Sequence, residues 1–202
     1  MKYSGGIVMP DWLYELDVNI LLFIQEHLRF DFLTPILKFL TMLGDHGMLW
    51  IGIALLLILI KRTRPIGATA GASLAINALL VNVFLKNIVA RTRPYEVIHG
   101  LTSLVGEQSD FSFPSGHTSS AFSVAVVMFM LMPKKYGVPA LIVATLIAYS
   151  RLYVGVHYPS DIIGGLIIGI LVAVICVAIY KKIEKRNGEN FVIDEKKSQI
   201  EN

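Results

Sequence analysis

The chain has 202 residues, of which 54% are hydrophobic and only 16% are charged, and its formal net charge is +3. Soluble domains carry about 25% charged residues, so much of this surface must face something other than water. The small and scattered positive charge argues against a nucleic-acid-binding protein, and the single Cys176 excludes an internal disulfide.

The N-terminal stretch MKYSGGIVMPDWLYELDVN lacks the lysine-rich start, the apolar centre and the small-residue cleavage site of a secretory signal. We therefore expect it to be mature sequence. Insertion into a membrane would then depend on internal helices.

Six segments approach the roughly 20 apolar residues that a helix needs to cross a bilayer. The sequence therefore predicts an all-α integral membrane bundle of six transmembrane helices. The first segment contains several charges, so we expect its opening part to lie along the interface and its later part to span. The segments cover residues 18–43, 48–61, 66–86, 116–132, 138–153 and 160–180.

Lysines and arginines collect in loops that six spans would place on one side, which the positive-inside rule makes the cytoplasm. Residues 1–180 then form the transmembrane domain, and residues 181–202 form a polar cytoplasmic tail that begins on anionic headgroups. The basic residues predicted to be cytoplasmic are Lys2 and those within residues 61–64, 133–135 and 181–186. The loops around KNIVARTRP and RLYVGVHYPSD would face outward.

Small and amide side chains within the spans indicate helix packing. Asn77 and Asn82 are expected to form hydrogen bonds between helices. Four glycines have the small-xxx-small spacing that allows close helix contact: Gly67, Gly71, Gly165 and Gly169.

The first polar cluster is KNIVARTRP, from Lys86 to Pro94. A continuous helix would place Lys86 and Arg93, almost two turns apart, on one face. Proline disfavours helix in the residue before it, so the helix should end near Arg91 to Arg93, where its dipole favours cations. The alternative is a basic anchor at the membrane interface.

The second cluster is FPSGHTSSAF, residues 113–122. A helix that begins here exposes backbone N–H groups around Ser115 and Gly116, and such groups bind anions. Gly116 allows the backbone to approach a ligand closely, and His117 would lie beside the anion. The alternative is an ordinary capped helix start.

The third cluster is RLYVGVHYPSDIIGG, residues 151–165. Pro159 suits the first helical turn, which places Asp161 where the helix dipole stabilises a carboxylate. His157, four residues earlier, is close enough to bond to Asp161, and such a bond makes its other ring nitrogen the better nucleophile or base. Arg151 ends the preceding helix. The alternative is a histidine that fills the interface.

Together the clusters bring cations, two histidines and one carboxylate to a single membrane face, which predicts an anion site. Each cation at ~5 Å and an effective dielectric of ~20 would repel a positive ion by roughly 3 kcal/mol, so we expect no metal and no cofactor. Phosphate oxygens suit the arginine fork. The residues predicted to form this anion site are Lys86, Arg91, Arg93, Arg151, His117, His157 and Asp161.

Two histidines at an anion site suggest a nucleophile and an acid. His157 has the carboxylate partner, so it is the expected nucleophile, and His117 is the expected general acid. The cations and backbone N–H groups would stabilise the equatorial phosphate oxygens. Water would then hydrolyse a phosphohistidine intermediate.

The same residues form three known motifs. KNIVARTRP fits KxxxxxxRP, PSGH occurs at 114–117, and SRLYVGVHYPSD at 150–161 fits SRxxxxxHxxxD. In this order they resemble the integral-membrane lipid phosphate phosphatases of the type 2 phosphatidic acid phosphatase family. Soluble vanadium haloperoxidases share the phosphate-site pattern, but six apolar spans disfavour them.

The resemblance implies a multi-pass enzyme of the cell membrane, metal-independent, with its site facing the extracytoplasmic side. Arg91 is outside the fixed motif positions. The implied phosphate-binding residues are Lys86, Arg93, Ser115, Gly116 and Arg151, and the implied catalytic ones are His117 as acid and His157 with Asp161 as the nucleophile pair.

Small bacterial members resemble phosphatidylglycerophosphate or undecaprenyl pyrophosphate phosphatases. We expect dephosphorylation of phosphatidylglycerophosphate to phosphatidylglycerol, with undecaprenyl pyrophosphate as the alternative substrate and a non-catalytic lipid-phosphate binder or transporter as the non-enzyme alternative. The expected partners are a lipid phosphate and membrane lipids, with no nucleic acid and no obligate protein. In loop 95–113, His99, Glu107 and Asp110 are expected to be solvated.

Overall fold

In the computed structural model, the backbone of residues 9–200 and the side chains of residues 9–187 are described. The start of the predicted mature N-terminus, with Lys2, and the last two residues of the predicted tail lie outside the described residues. In chain order the helices are α1 (Asp11–His27), α2 (Thr34–Leu43), α3 (Met48–Leu59), α4 (Arg64–Ala78), α5 (Lys86–Val89), α6 (Pro94–Val97), α7 (Gly116–Leu131), α8 (Lys134–Tyr153) and α9 (Pro159–Ile200).

Two connections are helical but not α-helical. A 3₁₀ turn, Asp45–Gly47, joins α2 to α3, and a π-helix, Leu79–Leu85, joins α4 to α5. No strand occurs within residues 9–200. The predicted all-α class is therefore confirmed for this part of the chain.

The predicted count of six transmembrane helices is not confirmed. Among the described residues, three helical segments are long and apolar enough to cross a membrane: Arg64–Val97, Lys134–Tyr153 and Pro159–Asn187. A fourth crossing is possible if the pair Thr34–Leu43 and Asp45–Leu59, bent by 48°, forms one span. The predicted first span divides because residues 28–33 separate α1 from α2.

Helix α7 lies at the centre of the bundle and packs on α4, α8 and α9. Most side chains in its first half are small, and it is buried around much of its circumference, with Ala121, Val124 and Val127 in the main apolar core. Large apolar side chains face outward instead, among them Phe32, Leu59 and Ile88. This reversed distribution suits a lipid environment, as the composition predicted.

Close packing at glycine is confirmed for three of the four predicted positions. A Cβ added at Gly165 of α9 would lie 2.6 Å from the backbone oxygen of Ser115, which precedes α7, and one at Gly169 would lie 2.5 Å from that of Ser119 in α7. At Gly67 it would lie 2.6 Å from the backbone of α3. The prediction is wrong for Gly71, where an added Cβ meets nothing within 4 Å.

The two asparagines of the third predicted span behave differently. Asn77 Nδ2 donates to Ser119 Oγ of α7 at 3.1 Å, which confirms the expected hydrogen bond between helices. Asn82 lines a cavity between α3 and α4 instead. The predicted hydrogen bond between helices is therefore found for Asn77 and not for Asn82.

Candidate active site

Lys86 and Arg93 form ion pairs with the same carboxylate, although they do not lie on one helix face as the sequence predicted. Helix α5 ends at Val89 because Ala90 adopts the left-handed conformation, with φ 48°, and Arg93 is extended. The two cations therefore do not share a helix face. Both nevertheless pair with Asp110, Lys86 Nζ with Oδ2 and Arg93 Nη2 with Oδ1.

Asp110 is exposed, as expected for its loop, but its carboxylate also belongs to the site, which the sequence did not predict. Burial alone would raise the pKa of its carboxyl, but the charges and hydrogen bonds of Lys86 and Arg93 lower that pKa to about 2. Asp110 is consequently ionised throughout the physiological range. Its loop is long and polar, and nothing in the local sequence separated it from Glu107.

The predicted pair of His157 and Asp161 is present and fully buried. His157 Nδ1 lies 3.3 Å from Asp161 Oδ2, with 1% and 0% of the two side chains exposed. The other nitrogen, Nε2, lies 3.3 Å from Arg93 Nη1. Burial, followed by the charges of Arg93, Arg151 and Lys86, lowers the pKa of His157 well below its ordinary value.

The imidazole of His157 is therefore neutral near pH 7, and its neighbours select the tautomer. The carboxylate beside Nδ1 favours the proton on that atom, and the guanidinium of Arg93 can donate to the lone pair on Nε2. A neutral ring with Nε2 unprotonated is the form that a nucleophile requires.

Arg91 lies behind this pair instead of joining the anion site with the other cations. Its Nη1 is 2.6 Å from Asp161 Oδ1, and its Nη2 is 2.7 Å from Asp17 Oδ2. Asp161 also accepts hydrogen bonds from Ser112 Oγ and from the backbone N–H of Tyr158. The grouping of Arg91 with the phosphate-binding cations is thus wrong.

Asp17 of α1 is a buried member of this network that the sequence analysis missed. Besides Arg91, it accepts a hydrogen bond from the backbone N–H of Ser160 at 2.9 Å. The signal for it was available in the helix periodicity. Asp17 shares a face with the buried residues Leu21 and Ile24, at spacings of four and seven.

His117 lies in the first turn of α7, where Ser115 is the N-cap and its Oγ accepts from Thr118 N at 3.3 Å. His117 Nε2 is 2.9 Å from Oδ1 of Asp45, in the turn between α2 and α3. Sequence reasoning missed Asp45, although its GDHG loop is on the predicted outer side. The charges of Lys86 and Arg151 act on both His117 and His157, so the two imidazoles belong to one site.

The predicted backbone anion site at the start of α7 is only partly available. The N–H of Ser115 donates to the backbone oxygen of Asp161 at 3.1 Å, and its hydroxyl caps the helix. Gly116 lines the cavity, and a Cβ there would lie 3.1 Å from Asn82 Oδ1 and 3.8 Å from Lys86 Nζ. The absence of a side chain at Gly116 therefore keeps the backbone open toward Lys86.

Arg151, at the end of α8, is almost fully buried and has two side-chain partners. Its Nη1 donates to Thr41 Oγ1 and its Nη2 donates to Gln108 Oε1 at 3.1 Å. Its Nε is buried and has no hydrogen-bond partner among the described residues. The guanidinium thus retains a donor that a ligand could use.

A cavity of about 720 Å³ leads to this site between α3 and α4. One end is polar and the other is lined by apolar side chains. The polar lining includes Asp45, Lys86, Asp110 and His117, and the apolar lining includes Ile51, Ala54, Leu55, Ile58, Leu74 and Ala75. Such a cavity can hold a phosphate at one end and a hydrocarbon chain at the other.

Comparisons with known proteins agree with this geometry. A family model described as the PAP2 superfamily matches residues 66–185. An undecaprenyl-diphosphatase of Sulfolobus acidocaldarius is 35% identical over 158 residues, which are 76% of each chain. The phosphatidylglycerophosphatase B of Bacillus subtilis is 34% identical over 116 residues, covering 52% of this chain and 54% of the relative.

Similarity extends to solved structures. The crystal structure of a transmembrane PAP2-type phosphatidylglycerolphosphate phosphatase from Bacillus subtilis matches with a TM-score of 0.72 and 27% identity. The match covers 86% of this chain and 89% of that one.

Proposed function

The chain belongs to the PAP2 superfamily, and from this premise we propose that it removes the terminal phosphate of a membrane lipid through a phosphohistidine intermediate, without a metal ion. One observation carries the proposal. The buried, neutral His157 has a carboxylate on Nδ1 and a guanidinium at Nε2. A histidine used only for binding needs no such orientation.

In the first step, the lone pair of His157 Nε2 attacks phosphorus and forms an N–P bond while the bond from phosphorus to the lipid oxygen breaks. His117 donates a proton to the departing oxygen, which leaves as an alcohol from a phosphate monoester or as a lipid monophosphate from a pyrophosphate. Burial and the charge of Arg151 lower the pKa of His117 to about 4, although Asp45, 2.9 Å from His117 Nε2, acts in the opposite direction. The negative charge of a bound phosphate adds to that of Asp45, so the substrate itself favours the protonated ring that this role requires. Lys86, Arg93 and Arg151 stabilise the equatorial oxygens.

In the second step, His117 is neutral and takes a proton from water as the water oxygen attacks phosphorus. The N–P bond breaks, inorganic phosphate leaves, and His157 returns to its neutral form. Asp161 holds the ring through both steps and stabilises the positive charge that develops on it. The proton count balances over the cycle.

Charge supports a mechanism without metal. Three cations, Lys86, Arg93 and Arg151, act on the His157 ring, and each would repel a divalent cation by several kcal/mol at ~5 Å and an effective dielectric of ~20. Asp161 is already paired with Arg91. The same cations attract a phosphate group, so the residue set suits an anionic substrate better than a metal ion.

Two substrates are supported about equally. The structural similarity to a phosphatidylglycerolphosphate phosphatase favours the expected conversion of phosphatidylglycerophosphate to phosphatidylglycerol. The relative covering 76% of the chain is an undecaprenyl-diphosphatase and favours the alternative. Both substrates present a terminal phosphate and an apolar chain, and the cavity has a polar and an apolar end for them.

For the cellular location, we propose a multi-pass protein of the cell membrane with its site on the extracytoplasmic side. The support is the distribution of charge. Basic loops at 61–64 and 133–135 lie at the opposite ends of their helices from the loops that carry Arg93 and His157.

The test is phosphate release by the purified full chain in detergent with excess chelator, from phosphatidylglycerophosphate and undecaprenyl pyrophosphate side by side. We expect turnover that vanadate inhibits and that His157→Ala abolishes. The exposed His99→Ala is the matched control and should retain turnover. Loss of turnover in chelator, or activity in His157→Ala, would contradict the mechanism, and no turnover on any lipid phosphate would favour a binder or transporter.

A further inference from the structure

The cations proposed to bind phosphate are already occupied by a side chain of the protein itself. The two carboxylate oxygens of Asp110 each pair with a different cation, Lys86 and Arg93. The cations are buried, with 5% and 3% of their side chains exposed, whereas 49% of the Asp110 side chain is exposed. Of these three side chains, Asp110 is therefore the one that is accessible from outside the site.

Asp110 also lies between the cavity and the buried nucleophile. It lines the cavity together with Lys86 and His117. Arg93, Arg151 and His157 are not among the residues that line it. A phosphate that enters from the cavity must therefore displace the carboxylate before it can reach Nε2 of His157.

The backbone around Asp110 is held in place, so displacement needs only rotation of the side chain. Arg93 Nε donates to the backbone oxygen of Asp110 at 3.0 Å, and Ser112 N donates to the backbone oxygen of Arg91 at 2.8 Å. On the other flank, the side-chain oxygen of Gln108 accepts a hydrogen bond from Arg151, and the backbone N–H of Gln108 donates to the hydroxyl of Tyr95. The loop can stay fixed while the carboxylate leaves.

Such an exchange discriminates by charge. A phosphate monoester carries a charge of about −1.5 to −2 at pH 7, whereas a carboxylate and a phosphodiester each carry a single negative charge. Replacing Asp110 by a monoester thus increases the attraction to Lys86 and Arg93. Replacing it by a phosphodiester exchanges one charge for an equal one and gains no attraction to these cations.

We propose that Asp110 is a selectivity residue, a resident carboxylate that a terminal phosphate with two negative charges displaces and that phosphodiester headgroups of the surrounding membrane do not. This inference rests on the proposed function, since it concerns access to the same phosphate site. It assigns the substrate class as lipids with a terminal monoester or pyrophosphate group. Anionic diester lipids, although abundant in bilayers, are excluded.

The test measures binding of inorganic phosphate to the purified full chain, without turnover. A ligand that binds the folded state stabilises it according to its concentration and affinity, so thermal unfolding over a phosphate series gives Kd. The variants are Asp110→Asn and the matched control Glu96→Gln, which removes the same charge from an exposed side chain of α6. Asp110→Ser repeats the test if the first variant does not fold.

We expect Asp110→Asn to bind phosphate about tenfold more tightly than wild type, a difference of about 1.4 kcal/mol, and Glu96→Gln to match wild type. Phosphatidylglycerol added in mixed micelles should compete with phosphate in Asp110→Asn and not in wild type. The direction follows because the variant no longer supplies a competing carboxylate.

Equal phosphate affinity in Asp110→Asn and Glu96→Gln would overturn the inference, even with full turnover of lipid phosphates. Tighter phosphate binding without competition by phosphatidylglycerol would overturn the selectivity against diesters. Tighter binding with competition, in a protein that releases no phosphate from any lipid, would support the selectivity and overturn the proposed catalysis instead.

Discussion

Among the single residues around His157, all the charged side chains except Arg151 are held by a partner of opposite sign, and Arg151 is held by the neutral side chains of Thr41 and Gln108. Arg91 joins Asp161 to Asp17, and Asp110 joins Lys86 to Arg93. Buried charges are costly unless they are paired and hydrogen-bonded. The pairing determines which carboxylate remains negative enough to act on His157, and therefore how basic that histidine is.

Asp17 is expected to act through Arg91 as a positioning residue. In Asp17→Asn, Arg91 would pair with Asp161 alone and would compensate more of the negative charge of Asp161. Because Asp161 then stabilises a protonated His157 less, the pKa of His157 falls further and Nε2 becomes a weaker nucleophile. We expect kcat to fall by about tenfold or more, as for other groups that orient a reacting side chain. The acid limb of the pH profile of kcat should move to lower pH, because a weaker base is protonated only in more acidic solution.

Glu15→Gln, on an exposed position of the same helix, is the control for Asp17→Asn. It should leave both kcat and the pH profile as in wild type. If Asp17→Asn lowers thermal stability while the acid limb stays in place, Asp17 has only a structural role.

At the scale of elements, the contact between α7 and α9 sets the distance between the two histidines. Gly165 and Gly169 allow the helix backbones to touch, and Ser115 N donates to the backbone oxygen of Asp161 at the same seam. His117 begins one helix and Asp161 begins the other. The small residues of α9 thus position the proposed acid against the proposed nucleophile.

Gly169→Ala is expected to destabilise the protein, because the new Cβ would lie 2.5 Å from the backbone oxygen of Ser119. Overpacking of this kind typically costs about 1–3 kcal/mol. Gly71→Ala is the matched control, since its Cβ meets nothing within 4 Å and alanine favours helix by roughly 0.5–1 kcal/mol. Thermal unfolding in detergent should show a lower Tm for the first variant only, and equal Tm values would contradict the close contact.

The end of helix α5 is a feature that residue spacing did not predict. The spacing of Lys86 and Arg93 predicted a shared helix face, but Ala90 terminates α5 in the left-handed conformation. The ion pairs that Arg93 forms with Asp110 and its contact with His157 need the extended chain that follows. Tertiary contacts therefore decided this backbone, and residue spacing could not reveal it.

At the scale of the whole molecule, the polar residues gather at one end of an apolar bundle. The outer faces of its helices expose large apolar side chains, and the loops carrying Asp45, Asp110 and His157 meet at the same cavity or behind it. The basic loops lie at the other helix ends. Insertion with those loops in the cytoplasm would place the site on the outer side.

Cysteine labelling tests this orientation in a Cys176→Ser background. A membrane-impermeant maleimide applied to intact cells should label Gly106→Cys, an exposed position in the loop of Asp110. Lys61→Cys, also exposed, should react only after the cells are permeabilised. The reverse pattern would place the site in the cytoplasm and contradict the proposed location.

The amino-acid sequence was sufficient to predict the all-α class, the three motifs and the pairing of His157 with Asp161, because composition and helical spacing are local properties. Only the tertiary structure decided that Asp17 binds Arg91, that Asp45 binds His117 and that Asp110 covers the cations. The partners in these contacts are separated by 17 or more residues. Helix periodicity indicates the buried face of α1 that carries Asp17, but the partner that such a face meets depends on how the helices pack.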